Sequence, residues 1–188
     1  MGAHVLVDEV YLDSAFGVSD VRPAAILSDR FITTSSLTKS YGLAGLRCGW
    51  ALASPEVAEG VRRARDIVDG TGVLPAERMS VVAFEHLDRL AARARAILEP
   101  NLAIVRAFLD GRRELECVPP AGGTVLFPRV RGQADAGPFI DRLFREEEVG
   151  VVPGRFFQAP AHFRLAFGGL RETLECGLER IGRVLDRL

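Results

Sequence analysis

Two hydrophobic periods alternate along this chain, and the changes between them mark its elements. Val5-Leu6-Val7 is a short apolar run ending in Asp8, the pattern of a buried parallel strand with an acid at its carboxyl end. Phe31-Ile32-Thr33-Thr34 is a second strand candidate, leading into Ser35-Ser36-Leu37-Thr38-Lys39. A third, Cys48 to Ala53, closes on Ser54-Pro55, an N-cap and first-turn pair that predicts a helix through Val68. Asp69-Gly70-Thr71-Gly72 breaks the pattern. From Pro75 to Leu115 the period is helical almost throughout. Pro100 is expected to divide that stretch, since an interior proline cannot continue the hydrogen-bond ladder without a kink.

The last third changes character. Short strands are expected over 115–118, 124–128, 150–152 and 163–167, interleaved with helices over 138–147 and 171–188. The expected organisation is therefore an α/β segment over residues 1–97 joined to a small α+β domain over 98–188. Glu146-Glu147-Glu148 reads as a solvated helix face rather than a metal site. His4, His86 and His162 read as packing or surface residues, and Trp50 as core.

Composition removes several function classes. A net charge of -1 gives no electrostatic reason to expect nucleic acid or an anionic membrane as partner. No apolar run approaches the roughly 20 residues that cross a bilayer. The first eleven residues lack a basic segment and place acids straight after a short apolar run, unlike a signal peptide. Cys48, Cys117 and Cys176 show no metal-ligand spacing and are expected as reduced, mostly buried thiols in a cytoplasmic protein. Of the 24 basic residues, Lys39 is the only lysine.

Two clusters carry candidate chemistry. Asp8-Glu9-Val10-Tyr11 puts a carboxylate at the carboxyl end of a parallel strand, where open α/β sheets bind ligands. A buried acid there would need a cationic partner or would become neutral. Ser36 to Gly49 gathers hydroxyls, one amine and one guanidinium along a glycine-rich path, without the spacing of a dinucleotide fingerprint or a P-loop. Those groups suit a phosphorylated ligand with an electrophilic carbon: hydroxyls and Arg47 for the phosphate, Lys39 for the carbon.

The second cluster resembles the cofactor-lysine signature of class I/II aminotransferases, a family of fold type I pyridoxal-phosphate-dependent enzymes. The resemblance runs the length of the chain. Asp8-x-x-Tyr11 comes first, then Ser36 three residues before Lys39 and Arg47 eight after it. Pro153-Gly154-x-x-Phe157 and His162-x-Arg164-x-x-Phe167-Gly168 follow in order. Cys48 departs from the aliphatic residue usual in the family, a harmless change because free cysteine packs as a small hydrophobe.

The resemblance implies pyridoxal 5'-phosphate as cofactor, carried by Lys39, which also moves the proton at the substrate Cα. It implies Asp8 against the pyridine nitrogen and Tyr11 on the phenolic oxygen. Ser36 and Arg47 would hold the phosphate, and Arg164 the substrate's α-carboxylate. Thr38 and Tyr41 would be structural. The implied reaction moves an amino group between an amino acid and a 2-oxo acid in a homodimer. The same residues equally serve a C–S lyase, a decarboxylase or a non-catalytic cofactor-binding or regulatory module. The implied fold is a three-layer, mostly parallel large-domain remnant over 1–97 with the small domain after it. Family members are about twice this length. The chain is expected to be N-terminally truncated, as part of a longer protein, one of two paired chains or a shortened gene product. The large-domain sheet would then lack strands beside Val5 and expose its apolar flank.

Overall fold

In the computed structural model, which describes residues 2–188, the first apolar run forms β1 (Val5–Asp8), paired in parallel with β2 (Phe31–Ser36). Val5 lies opposite Phe31 and Asp8 opposite Thr34, so both strands deliver their carboxyl ends to the same edge. β3 (Gly49–Leu52) runs antiparallel to β2, with Ser36 opposite Gly49. The sheet order is β1-β2-β3. It is thus half antiparallel rather than mostly parallel. Residues 37–48 form a loop without a crossover helix, and a parallel return requires one of roughly a dozen residues or more.

β1 is an edge strand, and the burial expected of it is not realised within these residues. Val5 is 49% and Leu6 68% exposed. A strand with one neighbouring strand among the described residues keeps part of its apolar side chains in contact with solvent.

α1 (Pro55–Val68) begins as its sequence predicts, with the Ser54 hydroxyl accepting the Val57 N–H at 3.4 Å. α2 (Leu74–Phe84) and α3 (Leu87–Asp110) replace the two helices expected on either side of Pro100. The break falls at Glu85-His86, where the last turn tightens as His86 donates to Ala83 O. Pro100 sits inside α3, and the helix continues through it. A proline at that position deprives one carbonyl, that of Ala96, of its donor. Ala96 is also where the chain divides into two compact units, one ending at Arg95.

The first unit has a small core. Leu37, Tyr41 and Ala83 are its buried apolar residues, with Cys48, Leu90 and Trp50 packed around them. Trp50 is partly rather than fully buried and meets Phe84 edge-on at 5.2 Å.

The second unit holds most of the buried apolar surface. β4 (Leu115–Glu116) pairs with β6 (Arg129–Val130), a two-residue strand that the sequence pattern did not signal. β5 (Val125–Leu126), β8 (Phe163–Ala166) and β7 (Val152–Pro153) form a second small sheet in the order β5-β8-β7. α4 (Gly137–Glu147) and α5 (Arg171–Leu185) pack together, burying Phe139, Leu143, Leu178 and Ile181. Glu147 is not the solvated residue expected of its acidic run. It accepts from Arg183 at 2.7 Å and Arg187 at 3.4 Å, and its carbonyl accepts from Arg180 at 2.6 Å. The cysteines are free, but Cys176 is exposed and the other two half-buried, because none falls on a fully packed face.

Candidate functional site

The carboxyl end of β1 turns sharply. Val10 N–H donates to the Asp8 carboxylate at 3.2 Å, and Leu12 N–H to Glu9 O at 2.9 Å. Asp8 is exposed, so the buried acid anticipated at this point is Glu9 instead, 8% exposed. Side chains alternate across a strand, and the turn after Asp8 swings Glu9 inward. Its carboxylate accepts the Ala24 N–H at 2.6 Å. Tyr11, 39% exposed, stands at the start of a 3-10 turn over Leu12–Ser14.

The Lys39 loop leaves β2 beside this turn and is pinned at several points. Leu37 N–H donates to Cys48 O at 3.1 Å and Leu43 N–H to Leu37 O at 2.9 Å, closing the loop at its neck. Leu37 is fully buried and anchors it. The Ser40 hydroxyl donates to Val10 O at 3.0 Å, and the Ser35 hydroxyl to Glu9 O at 3.4 Å. The structure therefore binds the Asp8–Tyr11 turn and the Lys39 loop to each other through backbone carbonyls. Ser36 accepts the Thr38 N–H at 3.3 Å. Tyr41 is buried, and burial first, with the Asp13 and Asp88 carboxylates, pushes its phenol upward. It acts as packing, as the sequence implied.

Lys39 and Arg47 are exposed, and neither side chain meets an acid among the described residues. Arg47 adopts the left-handed conformation, φ +51°, a region that costs a non-glycine residue energy and clusters at functional sites. Ser35, Arg47, Cys48 and Trp50 line one side of a recess of about 800 Å³ that α1 and α2 complete.

Arg164 lies in the second unit, on β8. Half-buried arginines there otherwise find partners: Arg112 pairs with Asp186, Arg142 with Glu146, and Arg180 with a carbonyl. Arg164 has no hydrogen-bonded or ionic partner among the described residues. Its guanidinium lies over the Phe157 ring, 5.4 Å from the centroid. The Pro153-Gly154 turn before it is tight. Gly154 N–H donates to His162 O at 2.8 Å, and a Cβ on Gly154 would collide with Ala159 O and His162 O. His162 stacks on Phe127 at 4.9 Å, a packing role, although its Nδ1 is buried without a partner.

Sequence reasoning missed Ser40 and Glu9 as the groups that position this site. Neither has a spacing signal, since each acts on a carbonyl or amide brought near by folding. Among the described residues there is no cluster able to hold a metal ion. No described helix is long and apolar enough to cross a membrane.

The family model described as aminotransferase class I and II matches residues 1–181. Capreomycidine synthase of Streptomyces vinaceus is 34% identical over 167 residues, covering 84% of this chain and 41% of that protein. The crystal structure of a PLP-dependent aminotransferase from Streptococcus suis superimposes with a TM-score of 0.91 at 31% identity, covering 99% of this chain and 49% of that one. An α-aminoadipate aminotransferase of Thermus thermophilus, in complex with a phosphopyridoxyl-leucine, gives a TM-score of 0.86 at 25% identity, covering 99% and 51%. The chain spans about half the length of the relatives it matches. With its signature residues in order and its family model matched almost end to end, the chain belongs to the aminotransferase class I and II family.

Proposed function

We propose that this chain is the part of a pyridoxal-phosphate-dependent aminotransferase that carries the cofactor lysine, Lys39. The observation behind this reading is the placement of that single lysine. It sits on a loop stitched by Ser40 to the turn of Asp8 and Tyr11, beyond the carboxyl ends of two parallel strands. The donor set fits the cofactor in kind: an amine, a carboxylate, a phenol, a hydroxyl and a guanidinium with no competing acid. When bound, pyridoxal 5'-phosphate supplies an electron-withdrawing ring that stabilises negative charge at the substrate Cα.

The chain's own residues hold and orient. Lys39 carries the cofactor and moves the proton at Cα. Asp8 keeps a proton on the ring nitrogen, and Tyr11 donates to the phenolic oxygen. Ser36 has no acceptor for its hydroxyl hydrogen among the described residues, and it binds the phosphate with Arg47. Arg47 offers a planar fork that suits phosphate. Arg164 takes the α-carboxylate of the amino acid and then of the 2-oxo acid. The large cofactor-binding domain runs to about residue 97 and the small domain follows it. The enzyme works as a cytoplasmic homodimer.

Incubation with pyridoxal phosphate, borohydride fixation and peptide mapping test this assignment. The label is expected on Lys39 and lost in Lys39→Ala. A label on the N-terminal amine alone overturns it. A second reading rests on the likeness to the solved structure of a PLP-dependent cyclase, at a TM-score of 0.89 and 30% identity: cyclisation by the same residues. A product assay over candidate amino acids separates ring closure from amino-group transfer.

A further inference from the structure

Arg164 does not stand alone in the second unit. Val118, Pro120, Val125, Leu126, Phe127 and Phe157 line with it an open recess of about 480 Å³, in the size range of small-molecule sites. Phe127 meets Phe157 edge-on at 5.5 Å, and Phe157 carries the Arg164 guanidinium on its face. Arg164 is the only charged residue among those lining the recess. We propose that this recess is the side-chain subsite of the substrate, and that it selects an amino acid with an apolar or aromatic side chain whose α-carboxylate Arg164 binds. The inference rests on the carboxylate role given to Arg164 above and adds the substrate class.

The charge pattern carries the choice. A single guanidinium satisfies a single carboxylate. A dicarboxylic substrate would press its second carboxylate against Val125, Leu126 and Phe127, where no cation or donor side chain lines the wall. Desolvating an unpaired carboxylate is far costlier than desolvating a methylene or a ring. An apolar side chain gains instead from leaving water. Space is sufficient, since an apolar cavity of roughly 150 Å³ already holds a benzene ring. Phe157 stacking fixes the guanidinium beside the apolar wall, so a ligand with both groups is held at two points.

The test uses the whole 188-residue chain and needs neither cofactor nor turnover. Methyl and amide NMR spectra are recorded during titration with 3-phenylpropanoate, butanedioate and 2-phenylethylamine. The proposal expects 3-phenylpropanoate to shift the methyl signals of Val118, Val125 and Leu126. It should bind on the order of tenfold more tightly than butanedioate, the value of burying one large apolar side chain. The amine, which lacks a carboxylate, should cause no shift. Arg164→Gln should weaken the binding by about tenfold or more, the fold-change of a charge-assisted hydrogen bond. Val118→Lys is a second variant that tolerates failure of the first. Val118 is 91% exposed, so the change leaves packing intact and should raise the affinity for butanedioate. Equal shifts from butanedioate and 3-phenylpropanoate in the unchanged chain, or binding that survives Arg164→Gln undiminished, overturn the proposal. Borohydride labelling at Lys39 reads the cofactor assignment independently, so the two can fail separately.

Discussion

Asn101 offers the clearest energetic test of how the second unit holds its shape. Its side chain is 2% exposed, and its amide nitrogen donates to Phe167 O at 2.7 Å and Gly169 O at 3.0 Å. These bonds fasten the middle of α3 to the segment that follows β8, the strand of Arg164. Asn101→Ala removes both donors and leaves two carbonyls facing an apolar side chain. A buried polar group left unsatisfied costs roughly 1–3 kcal/mol, and the Gly169 carbonyl is only part-buried, so the sum is about 2–4 kcal/mol. That is a large share of a total stability of about 5–15 kcal/mol. Asn101→Asp should be at least as damaging, since it keeps the shape but turns a carboxylate oxygen towards the carbonyls. Urea denaturation followed by far-ultraviolet circular dichroism measures the effect, with an unchanged m-value as the check that only stability moved. A loss below about 0.5 kcal/mol, the range of an ordinary surface substitution, would refute the claim that these two bonds anchor the segment.

Three further outcomes follow from the same structure. Gly154→Ala should destabilise the turn before β8 by about 1–3 kcal/mol, because the new methyl meets backbone oxygens that cannot swing aside; thermal melting checks it. The hydrogen bond from Arg183, outweighing burial, holds the Glu147 carboxyl below its usual range. Glu147 therefore stabilises the fold above the unfolded carboxyl value of about 4.3, and the contribution is lost as pH falls through the lower folded value. Tm measured from pH 7 to pH 3 should fall more steeply for the unchanged chain than for Glu147→Gln, and parallel curves would reject the role. The chain by itself should self-associate through its first unit, given exposed Leu6, Ile67, Val68, Val81 and Val82. Light scattering should show a concentration-dependent mass that Leu6→Lys with Val81→Glu reduces, and a monodisperse monomer would contradict it.

Local chemistry was legible in the sequence wherever one residue type decides the outcome. Ser54-Pro55 set the start of α1, because a cap needs only a side-chain oxygen and a proline at the first turn. The strand of Arg164 was equally readable from its apolar alternation. The break between α2 and α3 was not, because residues on both sides favour a helix and only tertiary packing fixes the turn at Glu85-His86. Pro100 misled for a related reason. Its missing donor concerns one carbonyl, and the Asn101 side chain that follows is held by the β8 segment, so the helix persists. Arg47 and Arg164 could be named by spacing, but their lack of acidic partners could not, since pairing depends on where every other charge folds.

The two units differ in a way that bears on the chemistry proposed for them. In the second, the guanidinium of Arg164 is half-buried against Phe157 and an apolar wall, so its attraction for a carboxylate is less screened than in open water. In the first, Asp8, Lys39 and Arg47 are exposed, and charges there act across water. Fixed dipoles and charges stabilise developing charge far more when water is excluded. The catalysis proposed at Lys39 would thus require a surface that covers the Asp8 turn and the lysine loop. The apolar side chains of β1 and the face of α2 bearing Val81 and Phe84 are exposed in the same unit, and they supply the area that such a surface would bury. The residues proposed for the chemistry and the apolar area that a cover would use are therefore carried together by the first unit, while Arg164, the group proposed for the substrate's carboxylate, lies in the second.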